Sequence, residues 1–339
     1  MKTDDYSTTL VKILEDIKKS GNTDGSRKMR IHKESTLSIY AAVMVKERLP
    51  ALIIKIEGAL HKARDLKQKN NGFICEVEVL TNSTTITIRT SNATYIDIFK
   101  KLIPYVIDSV KIETSAKLTV KKLAEILELW RRWGERSNEE LSKSEVIGLF
   151  GELTFIQMGL DAGSDPLELI KSWTGPTPDE ADQDFSFGTC AVEVKTTGAN
   201  NPDMCKINNL LQLDKIGLNH LYLFQAVFDI RDGCGVTLPE LVELLRSKII
   251  DESPVALNDL MKKLLKLNYL HADSDKYLRF GFTKRFLNFY QVKDDFPTLT
   301  RKDVRTGVTD AKYTIDLATA TKHTVSSSKV LSKFKKENV

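Results

Sequence analysis

Apolar residues recur with two different periods along the 339-residue chain, and each period predicts a different kind of element. A short amphipathic stretch from Leu10 to Ile17 predicts a helix, and a polar loop, SGNTDGSRK, follows it. From Met29 to Thr90 the runs MRIHK, LSIYAAVM, ALIIKI, FICEVEV and TTITIRT mostly alternate or are β-branched, and Gly, Asn, Ser or Pro bound them. Period-two alternation between turn residues predicts half-buried strands, here an antiparallel sheet. From Tyr95 to Val110 and from Thr119 to Trp133 the period becomes about 3.6, which predicts two helices, the first kinked or interrupted at Pro104. The polar run GERSNEELSKSE then suits a junction between domains.

Beyond it, Ser142 and Glu145 form a capping-box pattern, and Val146, Leu149, Phe150, Leu153 and Ile156 supply a buried stripe. A helix from Lys143 to about Met158 is therefore expected. An irregular segment leads to a hairpin at DFSFGTCAVEVKTT, residues 184 to 197, followed by a helix near Ile207 to Ile216 and a strand from His220 to Asp229. Two amphipathic helices, Leu238 to Ile249 and Leu257 to Leu265, precede the strand-like pieces YLRFGF and AKYTIDL and a basic tail. No internal repeat is visible. The pattern predicts a mixed α/β protein: a β-rich domain over 1–115, a core with a small central mixed sheet between helices over 116–235, and a helical and strand extension over 236–339.

Composition narrows the class. Hydrophobic residues at 41% and charged residues at 28% are those of a soluble globular protein. A net charge of +4 permits a polyanionic partner without requiring one. The first twenty residues carry acids and lysines throughout, lacking the apolar core of a signal peptide, and no apolar run reaches bilayer length. The expected location is the cytoplasm, with no membrane partner. Cys75, Cys190, Cys205 and Cys234 are far apart, form no CxxC pair and are expected to be reduced. The five histidines lack zinc-ligand spacing, and no GxxxxGK is present to cradle a triphosphate.

The hairpin carries the chemistry. A two-residue loop, Gly188 and Thr189, suits a type II′ turn. It pairs Phe187 with Cys190, Ser186 with Ala191, Phe185 with Val192 and Asp184 with Glu193. Side chains alternate faces, so Asp184, Ser186, Ala191, Glu193 and Lys195 share one face and Phe185, Phe187, Val192 and Val194 the other. The apolar face fixes the register and so forces two acids together, although like charges directly opposite are destabilising. A hard divalent cation such as Mg²⁺ removes that repulsion and keeps coordination sites for a phosphate. Lys195, on the same face, can orient or help deprotonate an attacking water and offset phosphate charge. The competing reading is a surface ion pair between Asp182 and Lys195, worth about 0 to 1 kcal/mol.

These residues resemble the PD-(D/E)XK nuclease superfamily, and most closely its bacterial branch associated with restriction and phage-defence loci. GLFGEL at 148–153, WTGP at 173–176, DF at 184–185, AVEVKTT at 191–197 and QL at 212–213 occur in that order. FPTL at 296–299 and AKYTIDL resemble the same family's C-terminal region, whereas the N-terminal sheet is similar only in general character. Gln183 stands where the superfamily's proline precedes the acid. The resemblance implies a restriction-endonuclease-like core, with Asp184, Glu193 and the Val194 carbonyl as metal ligands and Lys195 as the catalytic lysine. It implies that Glu152 aims at the same metal or its water, and that Gln212 touches DNA or that water. Glu152 is unusual from the residues alone, because it stands on an apolar stripe; its alternative is a helix-edge glutamate reaching solvent. For Gln212 the alternative is capping a helix face. Lys206 on the same expected helix is a candidate phosphate contact, Gly148 and Gly151 are expected to serve close packing and Trp173, Gly175 and Pro178 to shape the loop before the acid strand, and Asp179 is expected in a loop without a defined partner.

The function implied is a Mg²⁺-dependent DNA endonuclease, Mn²⁺ substituting, that leaves 5′-phosphate and 3′-hydroxyl ends within a defence system. Helicase-like or ATPase partner proteins and a homodimer fit that setting. A non-catalytic DNA-binding or assembly subunit and a branched-DNA repair nuclease are the alternatives. The basic stretches SRKMRIHK, WRRW and KVLSKFKK are candidate phosphate contacts or solvated faces.

Overall fold

The computed structural model describes residues 4–20, 25–33, 37–69, 72–111, 113, 115–135, 141–175, 182–269, 276–293 and 295–335. The junction residues 136–140, the end of WTGP, Pro178, Asp179 and Lys336 lie outside them. Two compact units form, Met1–Glu139 and Glu140–Val339. The expected boundaries at 115 and 235 move for structural reasons. The helix after 115 packs on the helix before it, and a strand after 235 pairs into the core sheet.

The first unit contains α1 (Asp4–Ser20), β1 (Ser26–Lys33), β2 (Leu37–Met44), β3 (Leu49–Glu57), β4 (Gln68–Lys69), β5 (Phe73–Leu80), β6 (Ser83–Thr90), α2 (Ile96–Lys111) and α3 (Ala116–Glu135). Its six strands pair antiparallel in the order β1-β2-β3-β6-β5-β4, as the alternating runs predict. Alternation is cleanest in β6, where every second residue is buried. Ile39, Leu52, Ile54, Ile86 and Ile88 are fully enclosed on one face, while Tyr40 and Met44 on the other are half-exposed. Helix α2 runs through Pro104 to Lys111 rather than stopping there.

The second unit contains α4 (Lys143–Asp161), α5 (Pro166–Ser172), β7 (Phe185–Phe187), β8 (Cys190–Thr197), β9 (Met204–Ile207), β10 (His220–Arg231), β11 (Val236–Thr237), α6 (Leu238–Ile249), α7 (Pro254–Lys266), β12 (Gly281–Gln291), β13 (Tyr313–Asp316), β14 (Thr324–Val325) and α8 (Ser327–Leu331). The core sheet runs β11-β12-β10-β8-β7, with β14 on β12. It is mixed: β8 and β10 are parallel, whereas β7 on β8 and β12 on β10 are antiparallel. The Ser142–Glu145 capping box starts α4 as predicted. Phe155 and Leu153 of α4 then pack on Phe185, Val192 and Phe224 of the sheet. The strand-like piece YLRFGF contributes to β12 only from Gly281 onward.

The other sheet face departs from expectation. No α-helix spans Ile207 to Ile216; β9 pairs with β13, and turns follow. Asn209 Oδ1 accepts the N–H groups of Leu211 (2.9 Å) and Gln212 (3.0 Å), Asp214 Oδ1 accepts that of Ile216 (3.2 Å), and Gly217 has φ +77°. Such side-chain bonds offer the backbone an alternative to a helix. Leu210 and Leu213 are nonetheless buried, so the apolar spacing imitates a helical stripe. Cys205, Ile207, Leu213 and Ile315 cover Ala191, Leu221 and Leu223 on this face.

Candidate active site

The hairpin register is the one its phenylalanines dictate: Phe185 opposes Val192, Ser186 opposes Ala191 and Phe187 opposes Cys190. Gly188 has φ +57° while Thr189 stays at negative φ, as a type II′ turn requires. Asp184 lies one step before the paired strand. Its Oδ2 accepts the Val194 N–H at 2.7 Å, which carries its carboxylate to Glu193. Glu193 is only 1% exposed. Its Oε1 pairs with Lys195 Nζ at 2.7 Å, while Oε2 is buried without a hydrogen-bond partner.

Lys195 Nζ also donates to Gln212 Oε1 at 2.9 Å, and the same oxygen accepts the Asn208 N–H at 2.8 Å. Gln212 thus reaches the site from a turn and holds the lysine, rather than capping a helix. Lys206, expected on that helix, is an exposed residue of β9.

Glu152 does not reach solvent. It is 6% exposed on α4, and its Oε2 accepts the Trp173 indole N–H at 2.6 Å. The helix can come this close because residue 151 is glycine: a Cβ there would stand 1.7 Å from Thr196 Oγ1 of β8. Gly148, one turn earlier, faces open space and serves no such approach.

Burial leaves these acids short of positive charge. It pushes Glu193 up to about 8, helped by the Asp184 charge and opposed by Lys195. Asp184 rises to about 6, again through burial, with the Val194 N–H and Lys195 pulling it down. Glu152 is held well above the carboxylate range by burial and by the Asp184 charge, against the Trp173 hydrogen bond. Burial alone would lower Lys195, but the charge and hydrogen bond of Glu193 outweigh it and raise the amine. Lys195 is therefore an ammonium at neutral pH.

The structure also reveals support that the residue pattern left unassigned. Thr174 takes the Asp184 carbonyl with its N–H and its hydroxyl, both at 2.9 Å, so the WTGP segment pins Asp184 as well as Glu152. Gln183, in place of a proline, donates from Nε2 to the Leu211 carbonyl at 2.8 Å and ties the acid strand to the Gln212 turn. Lys263 of α7 donates to the carbonyls of Ile170 and Trp173, fixing the end of α5. The departure from the proline pattern was the available signal for Gln183. Nothing local marked Lys263, which is 90 residues from Trp173.

Among the described residues no three His, Cys, Asp or Glu side chains are arranged to hold one metal ion. Two carboxylates and a backbone oxygen are, however, a sufficient hard-oxygen set for an ion that keeps several waters. The partnerless Glu193 Oε2 and the raised acids fit such an ion. Glu152, engaged by Trp173, stands behind that set.

A mixed sheet whose hairpin brings Asp184, Glu193 and Lys195 together, flanked by a helix that carries a buried glutamate, is the architecture of the PD-(D/E)XK class. A family model described as "Putative PD-(D/E)XK family member, (DUF4420)" matches residues 11–318, and the chain belongs to that family. The match takes in the N-terminal sheet as well as the core. No curated protein and no solved structure matches the chain.

Proposed function

We propose that this protein is a divalent-metal-dependent nuclease that hydrolyses phosphodiester bonds in DNA. The observation that carries the reading is the buried Asp184–Glu193–Lys195 constellation with one carboxylate oxygen left unpaired. Asp184, Glu193 and the Val194 carbonyl would hold Mg²⁺ or Mn²⁺. When bound, such an ion polarises the phosphate and lowers the pKa of water.

The chain's own residues do the rest. Lys195, an ammonium with three N–H groups, spends two on Glu193 and Gln212, leaving one for a phosphate oxygen on which charge develops. Gln212 acts through Lys195 as a positioning residue. Trp173 and Thr174 hold Glu152 and the Asp184 backbone, so the acids are placed before substrate arrives. The family resemblance supports a setting in restriction or phage defence, with partner proteins supplying target choice.

Plasmid DNA incubated with Mg²⁺ or Mn²⁺ tests the reading. Wild type should nick or linearise it, whereas Asp184→Asn and Glu193→Gln should not. Retention of DNA by wild type with no cutting in either metal would reject catalysis and leave an assembly subunit.

A further inference from the structure

The outward face of the N-terminal sheet carries a second, separate chemistry. Cross-strand register sets three rows side by side: Lys28 with Ala42 and Ala51, Arg30 with Tyr40 and Ile53, and Lys33 with Ser38 and Lys55. All four cations are exposed. They stand on an ordered floor, since Ala42 and Ala51 are fully buried and Ile53 is 7% exposed beneath the half-exposed Tyr40 and Met44.

The Tyr40 ring organises two of them. Lys28 Nζ and the Arg30 guanidinium lie 5.2 Å and 5.5 Å from its centroid. Burial would raise the phenol, yet the Arg30 hydrogen bond and the charges of Arg30 and Lys28 lower it, so the local potential is positive. The acids of this face lie at its other end: Glu76 and Glu78 of β5 continue the Arg30 and Lys33 rows two strands beyond β3, where Glu76 pairs with Arg89 at 3.6 Å, and Glu57 closes β3 two residues after Lys55.

Charges on an edge strand commonly serve only to block edge-to-edge pairing. That explains β1, but not Lys55, which stands on β3 in the interior of the sheet order. Nor does it explain four cations gathered on the β1–β3 side of one face. Lys28 to Lys33 covers about 17 Å of strand, a length over which duplex DNA presents roughly ten phosphate charges.

We infer that this face, built from Lys28, Arg30, Lys33 and Lys55 around Tyr40, is a sequence-independent binding surface for the backbone of double-stranded DNA. Single-strand binders leave aromatic rings open for base stacking. Here the cations occupy the ring, so it sets their geometry and the duplex is favoured. The inference rests on the DNA substrate proposed above but not on catalysis.

The full chain is titrated in EDTA against a short fluorescent duplex and its single strand, by anisotropy, from about 50 to 200 mM salt. For the variant K28A/R30A/K33A/K55A, affinity for duplex should fall on the order of 10- to 100-fold. Its log–log salt slope should become shallower by about 3.6, at about 0.9 per lost phosphate contact. The charge-conserving variant K28R/R30K/K33R/K55R should keep the wild-type slope. On wild type, duplex should shield Lys28, Lys33 and Lys55 from acylation, a readout that needs no substitution. An unchanged slope in the alanine variant, absent shielding, or tighter binding of the single strand would overturn the inference. Because cleavage is silent in EDTA, loss of nuclease activity alone leaves these readouts intact.

Discussion

The two sheets of this protein treat charge in opposite ways. The N-terminal sheet buries one face and gives the other to water, and Lys28, Arg30, Lys33 and Lys55 stay exposed on that open face. The core sheet is covered on both faces, yet it encloses Glu193 at 1% exposure and couples it to Asp184, Glu152 and Lys195. Exposed charge is inexpensive and mobile, suited to holding a polymer backbone. Buried charge is costly, and acids gathered and shifted in this way mark a candidate reacting site. On the functions proposed above, the contrast is one between a holding surface and a reacting one.

Substitution of a lysine in each sheet should break that contrast most visibly if it is wrong. Lys195→Ala should lower the single-turnover cleavage rate about 10²- to 10³-fold, the usual cost of losing one preorganised donor, with little change in DNA affinity. Lys55→Ala should do the reverse, weakening binding with the rate at saturating DNA unchanged. A Lys195→Ala protein that cuts at the wild-type rate would remove Lys195 from the chemistry.

How much of this was legible follows from where each residue's partners lie. Phe185, Phe187, Val192 and Val194 fix a register within one hairpin, so the meeting of Asp184 and Glu193 could be read from fourteen consecutive residues. The capping box of α4 and the limits of α6 were equally local. The 208–217 segment was not, because Leu210 and Leu213 keep helical spacing while Asn209 and Asp214 divert the backbone into turns. The β9–β13 pairing that replaces the helix joins segments more than 100 residues apart. Trp173 was marked by the WTGP landmark as shaping the loop, but not as the partner of Glu152, 21 residues before it, and Lys263, 90 residues beyond Trp173, had no local signal at all.

A second consequence concerns pH. Glu193 and Asp184 titrate near 8 and 6 in the metal-free fold, above the ordinary carboxylate range. The native state therefore binds more protons than the unfolded chain, and its stability falls as pH rises from about 4.5 toward 8. In EDTA the melting temperature should decrease across pH 6 to 8. Added Mg²⁺ should recover more at pH 8 than at pH 6, since deprotonated acids bind it better. At a hundred times its dissociation constant the ion contributes about 2.7 kcal/mol. A melting temperature that rises with pH in EDTA, or an equal metal shift at both values, would show that the acids are not linked in this way. The N-terminal face has no such buried acid pair, so K28A/R30A/K33A/K55A should leave the pH profile unaltered.

The smallest expected effects come from two glycines of α4, and they test whether close approach is what encloses the acids. Replacing glycine by alanine inside a helix contributes about 0.5 to 1 kcal/mol of stability when the methyl has room. Gly148 has that room, so Gly148→Ala should raise stability by about that amount. At Gly151 the new Cβ would stand 1.7 Å from Thr196 Oγ1 and 2.9 Å from its Cβ. Turning the threonine hydroxyl away relieves the first clash but not the second, so α4 must back off from β8. Overpacking of this kind costs about 1 to 3 kcal/mol, which exceeds the helix gain. Gly151→Ala should therefore be destabilising, by a net of about 1 to 2 kcal/mol in urea denaturation. Because Glu152 is the next residue, the same shift admits water to the carboxylates and should bring Glu193 back toward an ordinary pKa. Equal gains in stability at both positions would mean that α4 is not held against β8 by its missing side chain.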